Sequence, residues 1–145
     1  MQEDILVETP EGKLYSQKAI TVATVFTGML GGGYMLTQNL KVLGDTRPIK
    51  YVWLAVIINF VLIMGLAFSD FGEKIPGLVY ALPGLLTINY ILKKYNTPLA
   101  ADFMERGGEV YNSGRVVVIA ILSLIITVAV AFGVGVIVGL YQSLG

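Results

Sequence analysis

The chain has 145 residues, 55% of them hydrophobic and 14% charged, with a mean hydropathy of +0.74. Soluble domains carry about a quarter of their residues as charges, so this composition is that of a membrane protein. Ten basic and ten acidic residues balance, which leaves no electrostatic footprint for nucleic acid, and the absence of cysteine and histidine removes disulfides, thiol nucleophiles and the commonest metal ligand.

The charges cluster between four uncharged intervals: 19–40, 51–69, 75–92 and 116–145. A helix needs about 20 apolar residues to cross roughly 30 Å of hydrocarbon, and about 17 still suffice. The chain is therefore expected to be an all-α integral membrane four-helix bundle with spans at about 19–40, 51–69, 75–92 and 116–140. A polar N-terminal tail, 1–18, precedes them. That tail ("MQEDILVETPEGKLYSQK") lacks the pattern of a cleavable signal, so the first span is expected to double as the targeting signal.

The first interval contains "TGMLGGGYMLTQNL". Its glycines do not match the spacing of a phosphate-binding loop and no strand precedes them. Gly28 and Gly32, four apart, with Thr24 one turn earlier, instead predict a close helix–helix packing face of the small-residue kind. The second interval, "YVWLAVIINFVLIMGLAFS", is strongly apolar with Asn59 near its centre. The turn after it contains Asp-Phe-Gly, but none of the other kinase elements accompanies that triplet.

The third interval, "IPGLVYALPGLLTINYIL", has Pro76 at its start and Pro83-Gly84 at mid-depth, which predicts a kinked span, with a re-entrant or interfacial segment as the alternative. It also carries Thr87 and Asn89. In the link that follows, "NTPLAADFMERGG" predicts a short interfacial helix of about ten residues. It has Thr97 as N-cap before Pro98, Leu99 and Phe103 on one face, and Gly107-Gly108 as the stop. Asn112 or Ser113 is expected to cap the last span. Within that span Ser123, Thr127, Ala131, Gly135 and Gly139 place a small residue every four positions, a second predicted packing seam.

No span holds an ionisable residue, which excludes the usual way of coupling proton movement to transport. No nucleophile and base can be paired at membrane depth, so an enzyme is not expected. Asp70, Glu73, Asp102 and Glu105 sit in links, where solvation is their ordinary role. Asn59, Thr87, Asn89, Ser123 and Thr127 are expected to make hydrogen bonds between helices, worth roughly 0.6–2 kcal/mol each. The resulting expectation is a non-enzymatic accessory, scaffold or assembly subunit acting through helix contacts. It would have lipid around it, a homo-oligomer or another membrane protein as partner, and no cofactor. The rival is an oligomeric channel in which Asn59, Thr87 and Asn89 line an uncharged polar path.

Seven cationic residues fall in the links 41–50 and 93–115, against Lys13, Lys18 and Lys74 on the other side of a four-span arrangement. By the positive-inside rule both links are expected in the cytoplasm and both termini outside. The runs "YSQKAITVATVFTGMLGGGY", "EKIP" and "FMERGGEVYNSGR" resemble a group of small bacterial four-span membrane proteins of uncharacterised function. That resemblance implies a bacterial inner membrane and four helices, and it implies no catalytic or binding residue.

Overall fold

The computed structural model describes residues 10–145, so residues 1–9 of the expected tail lie outside the described residues. Apart from one pair of two-residue strands the described chain is all-α.

The first apolar interval is not one helix. Helix α1 (Gln17–Thr27) starts where the Ser16 hydroxyl accepts a hydrogen bond from the Ala19 N–H, and it stops at Gly28. Gly28 has φ 71° and ψ −169°, a backbone region that side chains exclude and glycine allows. Helix α2 (Met29–Leu43) begins at the next residue and runs back along α1. A side chain at Gly32 would meet Thr24 and the Ile20 carbonyl, and Asn39 lies beside Tyr15. The expected 19–40 span is therefore an antiparallel hairpin with arms about 16 and about 22 Å long. Gly44, at φ 79°, ends α2 by donating its N–H to the carbonyls of Leu40 and Lys41.

Helix α3 (Ile49–Ala67) buries Val52, Val56 and Asn59, one stripe at helical spacing that faces α2. The third interval departs from expectation at its prolines. A 3₁₀ turn over Gly77–Ala81 leads into α4 (Leu82–Ile91), which places Pro83 in the first turn. There the missing N–H has no carbonyl waiting for it, so Pro83 starts the α-helix and does not kink it.

The irregularity falls instead before Pro98. Residues Leu92–Asn96 form a π turn, with the Thr97 N–H reaching the Leu92 carbonyl, and α5 (Thr97–Glu105) continues without a break. A widened turn accommodates a residue that can neither donate to the i−4 carbonyl nor pack against it. Thr97 is thus no N-cap; its hydroxyl donates back to the Leu92 carbonyl at 3.1 Å. Phe103 is buried, and Gly107, at φ 86°, marks the stop. The helix expected to be a separate interfacial piece is an extension of α4.

Helix α6 (Ser113–Leu144) is capped by Asn112, whose side chain accepts from the Arg115 N–H at 3.0 Å. Residues 10–16 are not a free tail. Strand β1 (Lys13–Leu14) pairs in parallel with β2 (Glu109–Val110), and Leu14 and Tyr15 are buried.

Helix α2 is the axis of the fold: nine of its 15 residues are buried, with α1, α3, α4 and α6 around it. Helices α3 and α6 are long and apolar enough to cross a membrane. Because the first interval doubles back, the chain runs the long dimension three times after the hairpin: away along α3, back along α4 and α5, and away again along α6. Residue 10 and residue 145 therefore lie at opposite ends of the described chain. Lys13 and Lys18 join the seven link cations at the first end, so nine of the ten cationic residues share it and Lys74 alone occupies the other.

Candidate functional site

Three consecutive buried glycines build the centre of the molecule. Successive residues of a helix point about 100° apart, so Gly31, Gly32 and Gly33 face three different neighbours. A Cβ on Gly31 would meet Thr27 and, 3.3 Å away, the Ser123 hydroxyl of α6. On Gly32 it would strike Thr24 and the backbone of α1, and on Gly33 it would lie 2.7 Å from a methyl of Val56 on α3. Only an unsubstituted α2 can be approached this closely on three sides. Gly84 does the same for α4: a Cβ there would sit 3.3 Å from Asn59 Oδ1 and 3.5 Å from Met29.

At the cationic end a polar network ties the N-terminal strap to the helices. The Tyr15 N–H donates to Asn39 Oδ1 at 2.7 Å. Asn39 Nδ2 donates to the Tyr15 carbonyl at 2.8 Å and to Asn96 Oδ1 at 3.1 Å. One side chain thereby satisfies both backbone groups of a buried residue. Arg115 lies over the Tyr111 ring, 4.4 Å from its centroid, and donates Nε–H to the Tyr15 hydroxyl at 2.9 Å. Burial pushes the Tyr15 phenol above its ordinary pKa and Arg115 partly offsets that, so the hydroxyl stays protonated. Asn39, Asn96 and Tyr15 were not among the residues singled out from sequence. Asn39 lies in the C-terminal part of α2 and Asn96 inside the continuous helix of α4 and α5, and nothing in their local sequence names a partner.

At the tip of the hairpin, between α3 and α6, lies an apolar cavity of about 250 Å³. Thr27, Gly28, Met29 and Leu30 of the tip line it, with Val56, Asn59, Phe60 and Ile63 of α3 and Ile126, Thr127 and Val130 of α6 among its walls. Among the described residues no ionisable side chain borders it. Asn59 is 8% exposed, and its amide makes no hydrogen bond among the described residues.

The residues expected to form a polar path do not converge. Asn59 faces the cavity beside Gly84, Asn89 Oδ1 accepts from the Thr21 hydroxyl at 3.3 Å on the α1 side, and the Thr87 hydroxyl bonds the Pro83 carbonyl of its own helix. The expected packing residues also divide. Gly32 packs, Ser123 packs against Gly31, and Gly28 is the pivot with nothing within 4 Å of a Cβ. Thr127 donates to the Ser123 carbonyl in its own helix. Beyond it the seam has little to pack on: Ala131 is half-buried, Gly135 has only the Phe68 ring at 3.7 Å, and Gly139 faces open space.

Comparison of the chain with family models, with curated proteins and with solved structures finds no match. The class defined by the fold is therefore stated from the structure alone: an all-α chain with two helices long and apolar enough to be membrane spans.

Proposed function

We propose that this is a non-enzymatic accessory or assembly subunit of a bacterial inner membrane, and that it associates through the distal half of α6, with a second copy as first partner. One observation carries the reading. Helix α6 runs for 32 residues and buries only Ser123, while its small-residue seam continues to Gly139 with little packed on it beyond the Phe68 ring at Gly135. Two copies related by a two-fold axis can lay the same seam against itself, and in lipid such seams associate because backbones can approach closely. The surrounding side chains, among them Ile125, Val128, Phe132, Ile137 and Leu140, are exposed and apolar, which suits hydrocarbon contact.

In this reading the end holding nine cations is cytoplasmic and the C-terminus outside, an imbalance of nine to one that favours the orientation more strongly than seven to three. The hairpin enters from the cytoplasmic end and turns at Gly28 within the membrane. At its tip Thr27 and Met29 are buried and Gly28 is half-buried, so protein covers part of the irregular backbone at depth.

The chain has no cysteine, so a single Gly139→Cys variant gives a clean test. In native membranes it is expected to form a disulfide-linked dimer on mild oxidation, whereas Ile137→Cys, on another face of the helix, is expected to stay monomeric. Equal cross-linking at both positions, or none at either, would refute self-association through this seam.

A further inference from the structure

We propose that the cavity at the hairpin tip is a binding site for a neutral, lipid-soluble molecule that carries a carbonyl group on a hydrocarbon body, held by a hydrogen bond from the Asn59 amide. The inference rests on the membrane placement proposed above and is independent of self-association.

The cavity's walls supply affinity without direction. Met29, Phe60, Ile126 and Val130 present hydrocarbon or thioether surface around about 250 Å³, and an apolar space of this kind with few polar groups is how small hydrophobic ligands are held. Its polar groups decide what fits. The hydroxyl protons of Thr27 and Thr127 are committed to the carbonyls of Ala23 and Ser123, each at 2.8 Å, so these two residues can offer lone pairs only. Asn59 is more than nine-tenths buried, lines the cavity and has both amide N–H groups uncommitted among the described residues. The free side-chain donors at this site are therefore those of Asn59, beside the uncapped backbone N–H groups at the start of α2, and the complement of both is an acceptor.

Charge selects against other ligands. With no ionisable residue in the lining among the described residues, a carboxylate or an ammonium group would enter without a counter-charge. A plain hydrocarbon chain fills the space and leaves the amide unpaired. The ester carbonyls of bilayer lipids stay at the interface, whereas Asn59 is at the middle of α3, about 15 Å along the helix from its start. A ketone or quinone carbonyl on a body that partitions to the bilayer interior satisfies all of these conditions.

The test uses the full chain purified in detergent micelles and an alkyl-substituted benzophenone as probe. Its carbonyl is the proposed acceptor and, under near-ultraviolet light, the group that inserts into adjacent C–H bonds. Labelling is expected to saturate and to map to residues 56–64 and 126–130. A ketone without photoreactivity should compete about tenfold better than the hydrocarbon of the same shape, the worth of one net hydrogen bond. Asn59→Leu should abolish that preference while leaving the melting temperature near the parent's. Should Asn59→Leu fail to fold, Val130→Trp, at an exposed position on the cavity rim, keeps Asn59 and is expected to block labelling by volume.

Labelling spread evenly along α6 or unsaturable, labelling undiminished by Val130→Trp, or equal competition by ketone and hydrocarbon would each overturn the site. The last result is also what a water molecule bound to Asn59 predicts. Membrane placement is tested separately by alkaline extraction of cell membranes, which should leave the protein in the pellet; its release would sink the placement whatever the labelling shows.

Discussion

The hairpin and the distal half of α6 are built from the same kind of sequence, uncharged and rich in small residues at helical spacing, and they do opposite things. In the hairpin, Gly31, Gly32 and Gly33 between them give way to α1, α6 and α3, and every one is buried. In distal α6, Gly133 and Gly139 meet nothing, and Gly135 meets one aromatic ring. A small residue permits a close approach and does not compel one. What separates the two regions is supply of neighbours: the hairpin arms end about halfway along α6, and beyond the tip only Phe68, at the end of α3, reaches the glycines of the seam.

Substitution at Gly32 should have the largest effect. Leucine there gains up to about 1 kcal/mol of helix propensity, but it would drive α1 off α2 through contact with Thr24 and the Ile20 carbonyl. The expected net loss is about 3 kcal/mol or more, the upper range for overpacking a core. It is read as a fall in melting temperature or failure to accumulate. A Gly32→Leu protein as stable as the parent would show that the arms are not packed together.

Next in size is Asn39→Leu. It keeps the volume and strips hydrogen bonds from the Tyr15 N–H, the Tyr15 carbonyl and Asn96. Each buried group left unpaired costs about 1–3 kcal/mol. Hydrogen exchange at the Tyr15 amide should accelerate before the rest of the chain responds; unchanged exchange would mean the strap is held by something else.

Gly28→Ala tests the pivot itself. Its backbone conformation costs a side-chain-bearing residue about 1–3 kcal/mol, and straightening the hairpin into one span would relieve that strain. In the parent, reporters placed at residue 10 and near Gly44 should fall on the same side of the membrane, with a reporter after Gly145 on the other. In Gly28→Ala a fraction of molecules should carry residue 10 across. If residue 10 and the C-terminus already share a side in the parent, the four-span arrangement is restored and the hairpin is lost.

The smallest effect on the single chain is expected at Gly139. Leucine there faces open space and should change the stability of the dissociated protein by no more than about 0.5 kcal/mol, as at other exposed positions. Its effect belongs to association: the dimer band in mild detergent should weaken. A loss of monomer stability comparable to that of Gly32→Leu would erase the distinction between the two regions.

Sequence by itself determined what depends on one helix at a time. The apolar intervals placed α3 and α6 to within a few residues, because hydropathy over such a window is a property of the segment alone. The end of α5 at Gly107 and the Asn112 cap of α6 follow from local backbone chemistry, and both positions were readable for that reason. Tertiary structure decided the rest. Interval 19–40 is uncharged whether it crosses once or doubles back, and the reversal turns on one φ/ψ pair at Gly28 that hydropathy does not encode. Pro83 and Pro98 look alike in sequence; one falls in a first turn, where a missing N–H is harmless, and the other follows a π turn in a helix that continues. Asn59, Thr87 and Asn89 share a chemical type but point to a cavity, to their own helix and to α1. A residue's identity states which bonds it can make, and only the neighbours that the fold brings to it decide which bonds it does make.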